Sequence, residues 1–354
     1  MKTEALLVED FLQESKNKLV VDVRSPLEFS KGHMPGAINI PLFDDMERAE
    51  IGTLYKAKGK ENAIMRGLEI VSPKLTDYIN KTKNKSQSSG VLVYCFRGGM
   101  RSNSFGWLLN TAGLQTQIME GGYKAYRNHV LKQFEQPFKL MLLGGATGSG
   151  KTEILKNLQG QIPLLDLEGL ANHKGSAFGG IGQPAQLPQQ LFENSFYNDL
   201  KLVDIAKPFL IEDESMNIGY NKIPYSFWLQ MKKAPIIKIL MPFDLRVMRL
   251  VNEYGKEDVE KLKQSVRNIS QQLGPNNVKD CLQWLDEGKL ADVAAMTLKY
   301  YDRAYEYNHT SKNKTTILPV ETDTADPIIN AEKIKRIFAE YAVMHGETNI
   351  SNQK

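Results

Sequence analysis

Hydrophobic residues fall in short, dense runs along the first third of the chain: Lys18-Leu19-Val20-Val21-Asp22-Val23-Arg24, Ile38-Asn39-Ile40-Pro41, Val91-Leu92-Val93-Tyr94 and Thr116-Gln117-Ile118-Met119. Such runs are too short for buried helices. Rich in β-branched residues and bounded by Gly, Pro and Ser, they predict buried strands. Between them, Ser25-Pro26-Leu27-Glu28-Phe29 opens a short helix, a helix follows the run at Val91, and Tyr123 to Phe134 forms another. Strands alternating with helices predict a parallel α/β sheet. Gly32-His33-Met34-Pro35-Gly36-Ala37 and Gly121-Gly122 read as turns, with His33 a turn residue. Lys81, Lys83 and Lys85, followed by Ser86, Ser88, Ser89 and Gly90, read as a solvated loop.

Pro137 separates this pattern from a second one, so the chain is expected to form two domains, 1–136 and 137–354. In the second, Phe138 to Leu143, Leu164 to Glu168, Pro208 to Glu214, Pro235 to Met241 and Thr316 to Leu318 are the expected strands. A helix runs from Thr152 to Leu158 with Gly160 as its stop, and Asp244 is expected to cap a helix carrying Arg246 and Arg249. Beyond about Lys256 the pattern is mainly helical up to Tyr307, and a closing helix begins near Asn330. The second domain is therefore α/β with a helical C-terminal part.

Composition changes this picture little. With 354 residues, 42% of them hydrophobic, both domains can bury a core, and a net charge of +4 is too small to require a polyanionic partner. Two cysteines, Cys95 and Cys281, exclude a disulfide scaffold and suit a reducing compartment. The opening residues carry too short an apolar run for a signal peptide, and no stretch reaches membrane-spanning length, so a cytoplasmic protein is expected.

Two stretches carry chemistry. Cys95 ends a predicted strand and begins Cys95-Phe96-Arg97-Gly98-Gly99-Met100-Arg101-Ser102. Its glycines let successive N–H groups turn inward, the next helix adds its positive end, and Arg97 and Arg101 add cations. Such surroundings favour a reactive thiolate at Cys95 and an anion bound by Arg97, Gly98, Gly99, Arg101 and Ser102. In the second stretch, Gly145, Gly150, Lys151 and Thr152 fit G-x-x-x-x-G-K-[ST] between a strand and a helix, with Gly148 inside the loop. This predicts a P-loop. Its N–H groups cradle phosphates, Lys151 reaches the outer phosphates and Thr152 can ligate a magnesium ion. Asp213, at a strand end, is the first candidate for a metal-positioning carboxylate, and Asp166 for a residue facing a second substrate; helix capping is the alternative role for either. No tightly bound cofactor is expected and no metal site is certain.

Asp22-Val23-Arg24, the turn at Gly32 to Ala37 and the Cys95 loop resemble rhodanese domains, whose cysteine carries transferable sulfur or selenium. The segment from Phe43 to Gln87 is longer than a plain rhodanese domain needs. Cys95 and Arg101 also enclose five residues, the count of rhodanese-fold Cys-x5-Arg phosphatases, where most sulfurtransferases have four. A rhodanese-like domain joined to a P-loop NTPase-like domain, with Gly52-Thr53-Leu54-Tyr55-Lys56, Gly121 to Arg127 and Asp166 to Ser176, resembles the tRNA 2-selenouridine synthase family. That resemblance implies three substrates: tRNA, selenophosphate and geranyl diphosphate. It also implies exchange of the 2-thio sulfur of a wobble uridine for selenium through an S-geranyl intermediate. A phosphatase working through Cys95, and a kinase or NTPase working through Lys151, remain the alternatives.

Overall fold

A computed structural model describes residues 3–86, 90–310 and 316–346. The chain divides into two units: residues 1–133 with 188–195, and residues 134–187 with 196–354.

The first unit is built on strands β1 (Glu4–Leu6), β2 (Leu19–Asp22), β3 (Ile38–Asn39), β4 (Val91–Tyr94) and β5 (Thr116–Met119). They lie in the order β1-β5-β4-β2-β3, and every pairing is parallel. Parallel strands need helical crossovers that cover the faces, and accordingly all four residues of β4 are fully buried. Val21, Val23, Val91, Val93, Phe105, Leu109 and Ile118 form the core on one face. Strand β1 went unread in the sequence because three residues carry no usable pattern; it is held by its register with Gln117–Met119.

The long segment after β3 is helical. Asp45–Val71 forms a helix broken at Gly59 (φ 84°), a conformation that favours glycine. A second helix, Leu75–Lys85, carries Lys81, Lys83 and Lys85, so the expectation of a loop there is wrong. Lys81 instead pairs with Asp77 one turn earlier at 2.8 Å, a helical spacing that a count of lysines overlooks. Residues 87–89 lie outside the described residues.

The second unit holds β6 (Leu140–Gly145), β7 (Leu164–Leu165), β8 (Phe209–Glu212), β11 (Ile236–Leu240) and β12 (Ile317–Glu321), all parallel, in the order β12-β11-β6-β8-β7. A hairpin of β9 (Asn217–Ile218) and β10 (Asn221–Lys222) stands apart. Two expectations change. Strand β7 ends at Leu165, and the residues after Asp166 turn into the helix Leu167–Ala171. The helix Phe243–Tyr254 is capped by Pro242, with Asp244 in its first turn. Helices from Val259 to Thr310 form a separate core around Leu262, Val266, Leu273, Leu285 and Val293, which encloses Cys281.

In each unit the chemical loop follows the middle strand, β4 or β6, at the carboxyl edge where open parallel sheets place ligands. In the first unit the turn Gly121–Gly122 presses against the Cys95 loop. A Cβ on Gly122 (φ 58°) would lie 2.3 Å from the Cys95 carbonyl oxygen and 2.4 Å from Gly98 N. Gly36 (φ 79°) has the same backbone requirement but open space around it. Gly36→Ala should therefore cost only the left-handed strain of about 1–2 kcal/mol, whereas Gly122→Ala adds a backbone collision. Urea unfolding should place Gly122→Ala clearly below Gly36→Ala; equal midpoints would contradict this packing.

Candidate functional site

Beneath the Cys95 loop lies a buried ion pair. Arg24 donates from Nε to Asp22 Oδ1 and Oδ2 at 3.0 Å each, and from Nη2 to Asp22 Oδ2 at 2.6 Å. The same Nη2 donates to the Gly32 carbonyl at 2.6 Å, tying the turn at Gly32 to the end of β2. The guanidinium lies 3.8 Å from the centre of the Tyr123 ring and 5.7 Å from that of Tyr94. Removing either partner would strand a buried charge, at a cost of about 3–5 kcal/mol. The Asp-x-Arg and Gly32 motifs thus build the floor on which β4 presents Cys95.

Cys95 is 3% exposed. Its Sγ lies 3.2 Å from Ser102 Oγ, and the Ser102 hydroxyl also lies 3.1 Å from the Gly99 carbonyl. The Cys95 and Phe96 carbonyls accept from Tyr123 N and Lys124 N at 2.8 and 3.0 Å, so the outgoing chain is fixed to the next helix. Gly98 (φ 64°) packs against the Met119 carbonyl and Gly121 N, where a Cβ would meet them at 2.6 and 2.8 Å. Gly99 caps the helix Met100–Thr111. Among the described residues, none of the backbone N–H groups from Phe96 to Ser102 donates to a protein acceptor. Phe96, Arg97, Gly99 and Met100 are exposed, so these donors are open to water or to an anion.

Arg97 is exposed, 5.8 Å from the Phe96 ring centre. Arg101, in the first turn of the helix, donates to Glu28 Oε2 at 2.8 Å. Arg48, from the helix Asp45–Val71, reaches the same oxygen at 3.5 Å, and a Cβ on Gly52 would meet Arg48 Nη1 at 3.0 Å. Burial alone would raise the pKa of Glu28, but the hydrogen bond and charge of Arg101, aided by Ser25 N and Arg48, hold it below the usual carboxylate range. Sequence reasoning missed Glu28 and Arg48 because they lie 73 and 53 residues from Arg101. The only local signal was the capping box formed by Ser25 and Glu28.

In the second unit β6 ends in the P-loop, and the helix Lys151–Leu158 follows. Gly145, Gly148 and Gly150 all adopt positive φ. A Cβ on Gly148 would meet Arg246 at 3.2 Å, and one on Gly150 would meet the Arg249 guanidinium at 2.6 Å. Both arginines come from the helix Phe243–Tyr254 and brace the loop. Arg246 donates to the Thr147 carbonyl and, through both Nη atoms, to Asp302 at 2.8 Å; Arg249 donates to Glu153 and the Ala325 carbonyl. Lys151 Nζ donates to the Gly145 carbonyl at 3.1 Å.

A cavity of about 490 Å³ adjoins this loop, lined among others by Lys151, Thr152, Glu168, Lys174, Asp213 and Glu214. Thr152 Oγ1 donates to Glu168 Oε2 at 2.7 Å. Burial raises the pKa of Glu168 against the pull of Lys151 and Thr152. Burial, then repulsion from Glu168, lifts Glu214 to about 8. Asp213 lines the cavity, whereas Asp166 accepts from Gly169 N at 2.6 Å and caps the helix Leu167–Ala171. Thr152, Glu168, Asp213 and Glu214 share this cavity, but among the described residues no three His, Cys, Asp or Glu side chains are arranged to hold a metal ion.

Cys281 has none of this. It is fully buried, and burial followed by the charge of Asp280 pushes its thiol up to about 11.

Residues 7–129 match the rhodanese-like domain and residues 138–336 the tRNA 2-selenouridine synthase AAA domain. The chain is 33% identical over 343 residues to the tRNA 2-selenouridine synthase of Bordetella petrii, covering 84% of this chain and 88% of that protein. It is 38% identical over 270 residues to the synthase of Shewanella frigidimarina, covering 73% and 71%. It is 39% identical over 251 residues to that of Bdellovibrio bacteriovorus, covering 68% and 65%. A solved N-terminal domain of an ATP/GTP binding protein from Clostridium difficile 630 is 42% identical, covers 36% of this chain and 99% of that one, and has a TM-score of 0.34. With both domain types matched in chain order and full-length relatives above 30% identity, this chain belongs to the tRNA 2-selenouridine synthase family.

Proposed function

We propose that this protein replaces the 2-thio sulfur of a wobble uridine in tRNA by selenium from selenophosphate, through an S-geranyl intermediate made from geranyl diphosphate. The observation that carries the reading is the presence, on one chain of this family, of two anion sites with different chemistry. The Cys95 loop joins a thiol to a run of backbone N–H groups that, among the described residues, have no protein acceptor. The P-loop offers a phosphate cradle, Lys151 and Thr152, and no nucleophile of its own.

The P-loop suits the geranyl step. As the tRNA sulfur bonds to the geranyl carbon, the carbon–oxygen bond breaks and diphosphate leaves with the electron pair. Lys151 and the loop amides stabilise charge where it develops. The Cys95 loop suits the selenium step, in which selenophosphate is held by Arg101 and the amides of residues 96–102 while selenium displaces the geranylthio group. Among the described residues no helix is long and apolar enough to cross a membrane. A cytoplasmic setting, where tRNA is found, belongs to the same proposal.

Two measurements test this division of labour, both by nucleoside mass spectrometry on tRNA incubated with geranyl diphosphate and selenophosphate. Cys95→Ala should abolish 2-selenouridine formation while Cys281→Ala, at equal folded content, leaves it nearly intact; equal loss in both would refute the assignment of Cys95. Lys151→Ala should leave tRNA at 2-thiouridine, whereas Cys95→Ala should let the S-geranyl form accumulate. If both variants stop at one species, the two sites do not serve separate steps.

A further inference from the structure

We propose that Cys95 is a phosphoryl acceptor: its thiolate takes the phosphoryl group of selenophosphate as a phosphocysteine and releases the selenium as hydroselenide. This rests on the selenophosphate reading above and assigns the cysteine a different task from carrying selenium.

The loop is built for a tetrahedral phosphorus oxyanion. Among the described residues, seven consecutive N–H groups have no protein acceptor, those of Phe96 to Gly99 in the loop and those of Met100 to Ser102 in the first turn of the helix, more than a sulfur or selenium atom on Cys95 could engage. Arg101 adds a guanidinium whose Nη1 and Nη2 each donate to Glu28, at 2.8 and 3.5 Å, leaving its Nε proton and the second proton of each Nη for an anion. Glu28 holds that guanidinium from outside the loop at 2.8 Å, so its orientation is set before an anion arrives. Ser102 Oγ, 3.2 Å from Cys95 Sγ, can donate to the sulfur whenever it carries negative charge. That is the condition both for attack and for the sulfur's departure when a phosphocysteine is hydrolysed.

Electron counting favours phosphorus as the atom attacked. Selenium in selenophosphate and in 2-selenouridine has the same oxidation level. Attack on selenium would expel phosphorus as phosphite and leave selenium oxidised, so a two-electron reductant would be needed before transfer. Attack on phosphorus needs none. The sulfur–phosphorus bond forms, the phosphorus–selenium bond breaks, and selenium leaves with the electron pair and takes up one proton as hydroselenide. Water then attacks phosphorus, the sulfur departs as thiolate, and inorganic phosphate is released. Hydroselenide so generated is the nucleophile that displaces the geranylthio group.

The test uses the full-length protein and selenophosphate carrying radiophosphorus or, separately, radioselenium, followed by a rapid quench and peptide mapping. Radiophosphorus should appear on the Cys95 peptide and be lost in Cys95→Ser. Ser102→Ala should slow both the appearance and the loss of that label about tenfold, the factor expected for one hydrogen bond to a charged sulfur. Radioselenium should stay in solution. Radioselenium on Cys95 would overturn the inference while leaving the selenium-transfer function standing. Phosphorus label absent from both wild type and Ser102→Ala would also overturn it. A wild type that binds neither label and makes no 2-selenouridine would remove the function along with it.

Discussion

The first unit depends on a single close approach, the backbone of the Cys95 loop lying directly on the turn Gly121–Gly122. With the Cys95 carbonyl and Gly98 N within 2.4 Å of where a Gly122 Cβ would stand, only glycine fits. The contact pulls the chain leaving β4 sharply over, and its N–H groups then have no protein carbonyl to meet. Everything chemical in this unit follows from that deflection: the unfilled donors, the helix start at Met100, and the contact of Ser102 with the thiol. The Asp22–Arg24 pair is the counterweight below, holding β2, the Gly32 turn and the Tyr94 and Tyr123 rings as one support.

The second unit poses the opposite electrostatic problem. Its loop attracts anions, yet Glu168 and Glu214 stand beside Lys151 in the same cavity, both with raised pKa. Burial disfavours the charged form of both carboxyl groups, and repulsion from Glu168 adds to this at Glu214. Arg246 and Arg249 brace the loop through Asp302, Glu153 and the Thr147 and Ala325 carbonyls, while the Nε of each is buried without a partner among the described residues and Arg249 lines the same cavity.

Both loops were legible in the sequence because their signals are local. A β-branched run, glycines and a helix start within about twelve residues specify a strand, a turn and an amide cradle together. What was missed depends on distant chain. Arg48 and Arg101 both meet Glu28 across long stretches of chain, and no spacing rule links them. Glu168 was hidden because β7 stops after two residues, so the chain turns into a helix at Leu167 and aims Glu168, not Asp166, at Thr152. The lysines at 81, 83 and 85 were misread since their alternation obscured the i,i+4 partner Asp77. The domain boundary near Pro137 follows composition, while the inclusion of residues 188–195 in the first unit rests on contacts such as Asn194 with Tyr123 and the His33 carbonyl, which no boundary signal records.

Both loops serve the insertion of selenium into tRNA. That insertion is tested most directly by nucleoside mass spectrometry of tRNA from cells in which this protein has been deleted and which are grown with selenium. The account predicts that 2-selenouridine disappears while the 2-thiouridine precursor persists. Undiminished 2-selenouridine in those cells would contradict it.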